Sequence, residues 1–126
     1  MAVRSPNVKY ELSRGYVKVI WSGLLTTDSG EHFDAAGYQV ESVQVIGTFG
    51  AAGTITMQWT NEDVPTNNVA ATPFGTAGVI SAAGLFLPVL TSLASKPMAA
   101  WLRPLVGAGD GTTNLSVTAI LSKAHR

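Results

Sequence analysis

The sequence predicts an all-β protein: an antiparallel β-sandwich or jelly-roll-like barrel, with an extended N-terminal arm and a long middle loop. Three observations predict it. Short runs of β-branched and aromatic residues recur between turn clusters rich in Gly, Asn and Asp. Apolar and polar residues alternate with a period of two, most clearly where Thr54, Thr56, Gln58 and Thr60 interleave with Ile55, Met57 and Trp59. No stretch sustains a helical period, and at most one short helix fits, near residues 90–95. The 126 residues fit one domain, 1–126, with residues 1–13 as its arm. A chain of this size buries roughly two-thirds of the surface its unfolded form exposes. It contains no cysteine, so disulfides and thiolate metal sites are excluded.

The elements follow in order. Residues 1–13, with Pro6 early and no clear period, form an arm that either frays or wraps a neighbour. In residues 16–21, Val17, Val19 and Trp21 share one face of a strand, and Thr26-Thr27-Asp28-Ser29-Gly30 turns the chain. Residues 40–49 form a second strand, with Glu41, Val43, Val45 and Gly47 alternating with Ser42, Gln44, Ile46 and Thr48. The short Gly50-Ala51-Ala52-Gly53 link then predicts an antiparallel hairpin with residues 54–60. Residues 64–78, rich in Pro, Asn, Thr, Ala and Gly, read as a long loop, and residues 79–90 as one or two short strands. Residues 98–106 form another strand, which Pro104 assigns to an edge or a bulge. After the Gly107-Ala108-Gly109-Asp110-Gly111 turn, residues 114–122 close the domain, with Leu115, Val117, Ala119 and Leu121 on one face.

Composition narrows the function classes. A formal net charge of +0 and the lack of a basic stripe argue against a nucleic-acid partner. No apolar run reaches the roughly 18 residues a membrane helix needs, and Met1-Ala2-Val3-Arg4-Ser5-Pro6 lacks the apolar core of a secretion signal. Only 13% of residues are charged, against about 25% in an ordinary soluble protein, and residues 64–95 carry no charge at all. Such a surface is expected to be covered in part by other chains, with the uncharged stretch as a contact surface. The alternatives are a surface built from Thr, Ser, Asn and Gln, and a loop folded over its own core.

No catalytic, cofactor or metal site is expected. Asp28, Glu31, His32 and Asp34 are the one cluster of metal-ligating types, but their spacing fits neither a calcium loop nor a zinc helix, and a solvated loop is the better reading. The second histidine, His125, sits in the tail, and no Gly-x-Ser-x-Gly elbow exists, so nucleophilic catalysis lacks its parts. Gly47, Gly50 and Gly53 are turn glycines without the lysine of a phosphate loop. Asn114-Leu115-Ser116 matches a glycosylation sequon only by pattern. Three tryptophans could form a sugar-binding platform. Trp21 and Trp59, however, share parity with core residues, whereas Trp101 shares it with Arg103.

Two stretches resemble a known family. Val43-Gln44-Val45-Ile46-Gly47-Thr48-Phe49-Gly50 runs into Gly53-Thr54-Ile55-Thr56-Met57-Gln58-Trp59-Thr60-Asn61-Glu62. Ala100-Trp101-Leu102-Arg103-Pro104-Leu105-Val106 is followed by a Gly-Asp-Gly turn and Asn114-Leu115-Ser116-Val117-Thr118. Covering about half the chain, they resemble the capsid decoration, or cement, proteins of tailed bacteriophages. The resemblance implies a β-sandwich or jelly roll without active-site residues. It also implies a homo-oligomer, with a trimer favoured, that binds the major capsid protein on the exterior of the virion after synthesis in the host cytoplasm. Another virion component (tail, neck or head fibre) and a carbohydrate-binding β-sandwich are the alternatives.

Overall fold

The computed structural model describes residues 2–62, 67–71, 78–87 and 100–123. They form two sheets packed face to face as a β-sandwich, which does not close into a barrel. Twelve strands follow in chain order: β1 (Val3–Arg4), β2 (Asn7–Glu11), β3 (Tyr16–Leu24), β4 (Ser29–Gly30), β5 (Phe33–Asp34), β6 (Tyr38–Thr48), β7 (Thr54–Thr60), β8 (Val69–Ala70), β9 (Val79–Ile80), β10 (Gly84–Phe86), β11 (Trp101–Ala108) and β12 (Asn114–Lys123). One sheet runs β10-β6-β12-β3-β2. The other runs β1-β4-β11-β7-β8, with β5 also on β11 and β9 also on β7. Among the described residues only β1 and β4 pair in parallel.

The alternation read from the sequence selects the core. Val17, Val19 and Trp21 on β3, Val43 and Val45 on β6, Ile55 and Met57 on β7, and Leu115, Val117, Ala119 and Leu121 on β12 are all buried between the sheets. Two irregularities let strands bury one residue more than strict alternation allows. Opposite β12, the register slips between Ser42 and Val40, so both Val40 and Val43 point inward. A second slip, between Trp21 and Leu24, spans Gly23 at φ 66° and returns Leu24 to the core. Each is a bulge, in which two residues oppose one.

The expected hairpin between residues 40–49 and 54–60 does not form. β6 lies in the five-stranded sheet and β7 in the other. The link between them therefore crosses the sandwich. Period-two alternation says which face of a strand is dry but not which strand lies beside it. Val43 and Val45 face the core from one sheet and Ile55 and Met57 from the other. The link needs unusual backbone: Gly50 has φ 74° and Ala52 φ 55°, values that favour glycine. The adjoining Gly-Asp-Gly turn holds it. Asp110 Oδ2 accepts the Ala51 N–H at 2.7 Å, and the Thr113 hydroxyl donates to Phe49 O at 2.7 Å.

Pro104 is also not at an edge. It lies inside the β11 ladder, opposite Met57, and is buried. The Val106 N–H bonds Asp28 O and Ala100 O accepts the Ala35 N–H, each at 2.8 Å. Even-numbered residues of β11 thus turn their backbone groups toward β4 and β5. Pro104 nitrogen faces the same side at the break between β4 and β5, where no donor is required.

The N-terminal segment is no free arm. β1 pairs with β4 and β2 with β3, so the segment crosses from one sheet to the other and covers one flank of the sandwich. The described part of the uncharged middle stretch lies on the opposite flank: β8 and β9 pair with β7, and β10 pairs with β6. Of the one or two short strands expected in residues 79–90, two are present, β9 and β10. The short helix expected near residues 90–95 lies outside the described residues.

Candidate docking surfaces

Asp28 overturns the solvated-loop reading of its cluster. Its side chain is buried and accepts the Ala2 N–H at 2.9 Å, the Leu25 N–H at 3.0 Å and Arg4 Nε at 3.1 Å. Burial acts to raise its pKa, but the Leu25 and Ala2 N–H groups and the Arg4 guanidinium outweigh it, so the carboxyl titrates below the usual aspartate value. Asp28 therefore pins the first strand to the body of the protein. The other cluster members diverge. His32 Nε2 lies 2.7 Å from Asn68 Oδ1, Asp34 Oδ1 accepts the Ala36 N–H at 3.1 Å, and Glu31 is exposed. Among the described residues no three such side chains are grouped to hold a metal ion, and His125 lies outside them.

The tryptophans divide. Trp21 is fully buried and its indole N–H donates to Glu31 O at 2.9 Å. Trp59 is half-buried against the core. Trp101, also half-buried, faces a groove between β2 and β5, with a volume of about 500 Å³. Tyr10, Tyr38, Glu31 and Asp34 share its walls. The sequence could not assemble these residues, because three of the aromatics come from strands far apart in the chain. The parity of Trp101 with Arg103 was the one available signal.

The opposite flank has different chemistry. From residue 67 to 87 the described chain carries no charge, yet Val69, Val79, Leu85 and Leu87 are exposed, Leu85 at 62% and Leu87 at 63%. Leu85 lies opposite Gln44 on β6, and Ile46, at 55% exposed, shares the outer face of that strand with Gln44. The row continues through Thr118 on β12 to Ile20 on β3. A border of branched aliphatics among Gln, Thr and Ser is suited to dry contact with another protein, since isolated apolar residues are common on surfaces but contiguous ones mark interfaces.

The end of the sandwich is tied together by polar groups. Asp110 accepts the Thr112 hydroxyl at 2.6 Å, the Ala51 N–H at 2.7 Å and the Thr112 N–H at 2.8 Å. These bonds, the Thr112 hydroxyl foremost, hold its pKa down to about 2. Thr26 adds a third loop by donating to Asp110 O at 2.6 Å. Asn114 heads β12 beside this knot, so the sequon pattern falls where a strand begins.

No protein-family model matches the chain, and no curated protein and no solved structure is similar to it. The fold defines the class, an antiparallel-dominated β-sandwich, and its candidate sites are surfaces.

Proposed function

We propose that this protein is a structural component of a bacteriophage virion, a decoration protein that binds the major capsid protein on the outside of the shell. The supporting observation is the uncharged flank. The described part of the stretch without a single charged residue, 67–71 and 78–87, is built into the edges of both sheets and presents Val69, Val79, Leu85 and Leu87 to solvent. The resemblance of residues 43–62 and 100–118 to decoration proteins gives this surface its partner. Each copy would associate with others, as a trimer, and bridge neighbouring capsid subunits. Many individually weak contacts then add up to a strong clamp, because each bound copy raises the effective concentration of the next contact.

The test measures solution mass and binding to mature heads that lack this chain. The wild type is expected to be oligomeric and to co-sediment with heads. Ile46→Lys with Leu85→Lys should abolish binding while leaving the circular dichroism spectrum unchanged. A strictly monomeric wild type that ignores heads would overturn the proposal.

A further inference from the structure

We propose that the groove between β2 and β5 is a docking site for an extended basic segment of a partner polypeptide, with an arginine or lysine side chain seated between Trp101, Tyr10 and Tyr38. Three independent features converge on that occupant. The first is charge. Glu31 and Asp34 flank the groove, no Lys or Arg lines it, His32 on its lining has Nε2 at 2.7 Å from Asn68 Oδ1, and neither carboxylate forms an ion pair among the described residues. The wall of the groove is therefore negative and complementary to a cation.

The second feature is aromatic. Tyr10 is 62% exposed, and Trp101 and Tyr38 are half-buried. An aromatic ring face attracts guanidinium and ammonium groups through its quadrupole, most strongly where water is partly excluded. Carboxylates at the rim then supply charge-assisted hydrogen bonds, which a planar guanidinium can make in pairs. A neutral ligand would gain from the rings but not from two uncompensated carboxylates.

The third feature is backbone. β2 is the last strand of its sheet and bonds only β3 among the described residues. Every second N–H and C=O of an edge strand points away from the sheet. An extended segment laid along β2 would satisfy these groups, and its alternate side chains would face the groove. Pro6 and Val8, on the same wall, offer apolar surface to the stem of a long side chain.

This site lies on the flank opposite the one assigned to the shell, so it is tested on the isolated chain. The probes are a capped heptapeptide alternating threonine with arginine, its glutamine counterpart, N-acetylarginine amide and maltohexaose. The readout is the indole N–H resonance of Trp101, one of three tryptophans in the chain. The arginine peptide should shift it saturably, bind at least about tenfold more tightly than N-acetylarginine amide, a difference of roughly 1.4 kcal/mol, and weaken as salt rises. Glu31→Gln combined with Asp34→Asn keeps the acceptor that Ala36 uses and should weaken the peptide by about tenfold or more, on the same conversion. The proposal is overturned if the peptide gives no shift, if the glutamine peptide or N-acetylarginine amide binds equally well, if the double variant binds unchanged, or if maltohexaose alone shifts the resonance.

Discussion

The two flanks of this sandwich solve one problem with opposite chemistry. Each closes the gap where the two sheets end. One does so with β1, β2 and β5, and uses an ion pair from the partly exposed Arg4 to the buried Asp28, beside a groove lined by carboxylates and aromatic rings. The other does so with β8, β9 and β10 and carries no charge from residue 67 to 87. A charged fraction averaged over the chain hides this division. Few charges does not mean a uniformly apolar surface. Here the middle of the chain, which forms one flank, lacks them, while the acidic side chains Asp28, Glu31 and Asp34 cluster on the other. The first flank therefore presents carboxylates beside aromatic rings, and the second presents exposed aliphatic side chains.

Removing the foundation of the charged flank should have the largest effect. Trp21 fills the core and ties Glu31 O through its indole N–H. Trp21→Ala is expected to cost about 3–5 kcal/mol, read as a fall in the urea midpoint. It should also release the segment bearing Glu31 and Asp34. If the groove still bound its peptide as the wild type does, the two would be mechanically separate.

Two changes of the next size test how the flank is fastened. Asp28→Ala leaves the Ala2 and Leu25 N–H groups and Arg4 without their acceptor, at a cost of about 1–3 kcal/mol. Hydrogen exchange should quicken at Ser29 and Glu31, whose N–H groups bond Ala2 O and Arg4 O. Protection that stays unchanged there would show that β1 holds without the carboxylate. At Gly30, an added Cβ would come within 2.6 Å of Trp21 Nε1 and Pro104 Cδ. Gly30→Ala is therefore expected to cost about 1–3 kcal/mol through overpacking, seen in thermal unfolding.

A smaller effect should appear in acid. Asp110 titrates at about 2 in the folded protein, below the roughly 3.9 of an unfolded aspartate. A folded pKa below the unfolded one means that its contribution is complete above about pH 4 and is lost as pH falls through about 2. Asp28 shifts in the same direction. Urea midpoints measured across that window should decline in the wild type and decline less in Asp110→Asn. Equal slopes would remove Asp110 from the acid response.

The smallest effect on stability belongs to the uncharged flank. Leu85 is exposed on an edge strand, so Leu85→Lys should change unfolding by no more than about 0.5 kcal/mol. Its effect should fall on assembly, as a lower solution mass. A large loss of stability without any change in mass would assign Leu85 to the fold instead of the interface.

Much of the architecture was legible because a strand records its environment every second residue. Val17, Val19 and Trp21, or Leu115 through Leu121, show their dry face without any knowledge of neighbours. What that record omits is pairing. The link at Gly50–Gly53 reads equally as a hairpin turn or as a crossing between sheets, and the deciding contacts come from Asp110 and Thr113, some sixty residues away in sequence. Pro104 left an edge or a bulge open for the same reason, since its missing donor matters only if a partner strand faces it, and the irregular break between β4 and β5 lies there. Asp28 looked solvated because its three donors come from residues 2, 4 and 25, of which only Leu25 is near it in the chain.

The amino-acid sequence alone determined the fold class, the identity of most core residues and the concentration of uncharged residues in one stretch, because each is a local property written in composition and alternation. Tertiary structure decided which strands are neighbours, that the N-terminal segment folds back on its own domain, and that Tyr10, Tyr38 and Trp101 meet beside Glu31 and Asp34. Those features depend on hydrogen bonds and contacts between residues remote in the chain. A period of two says which way a side chain points but not what it will meet there.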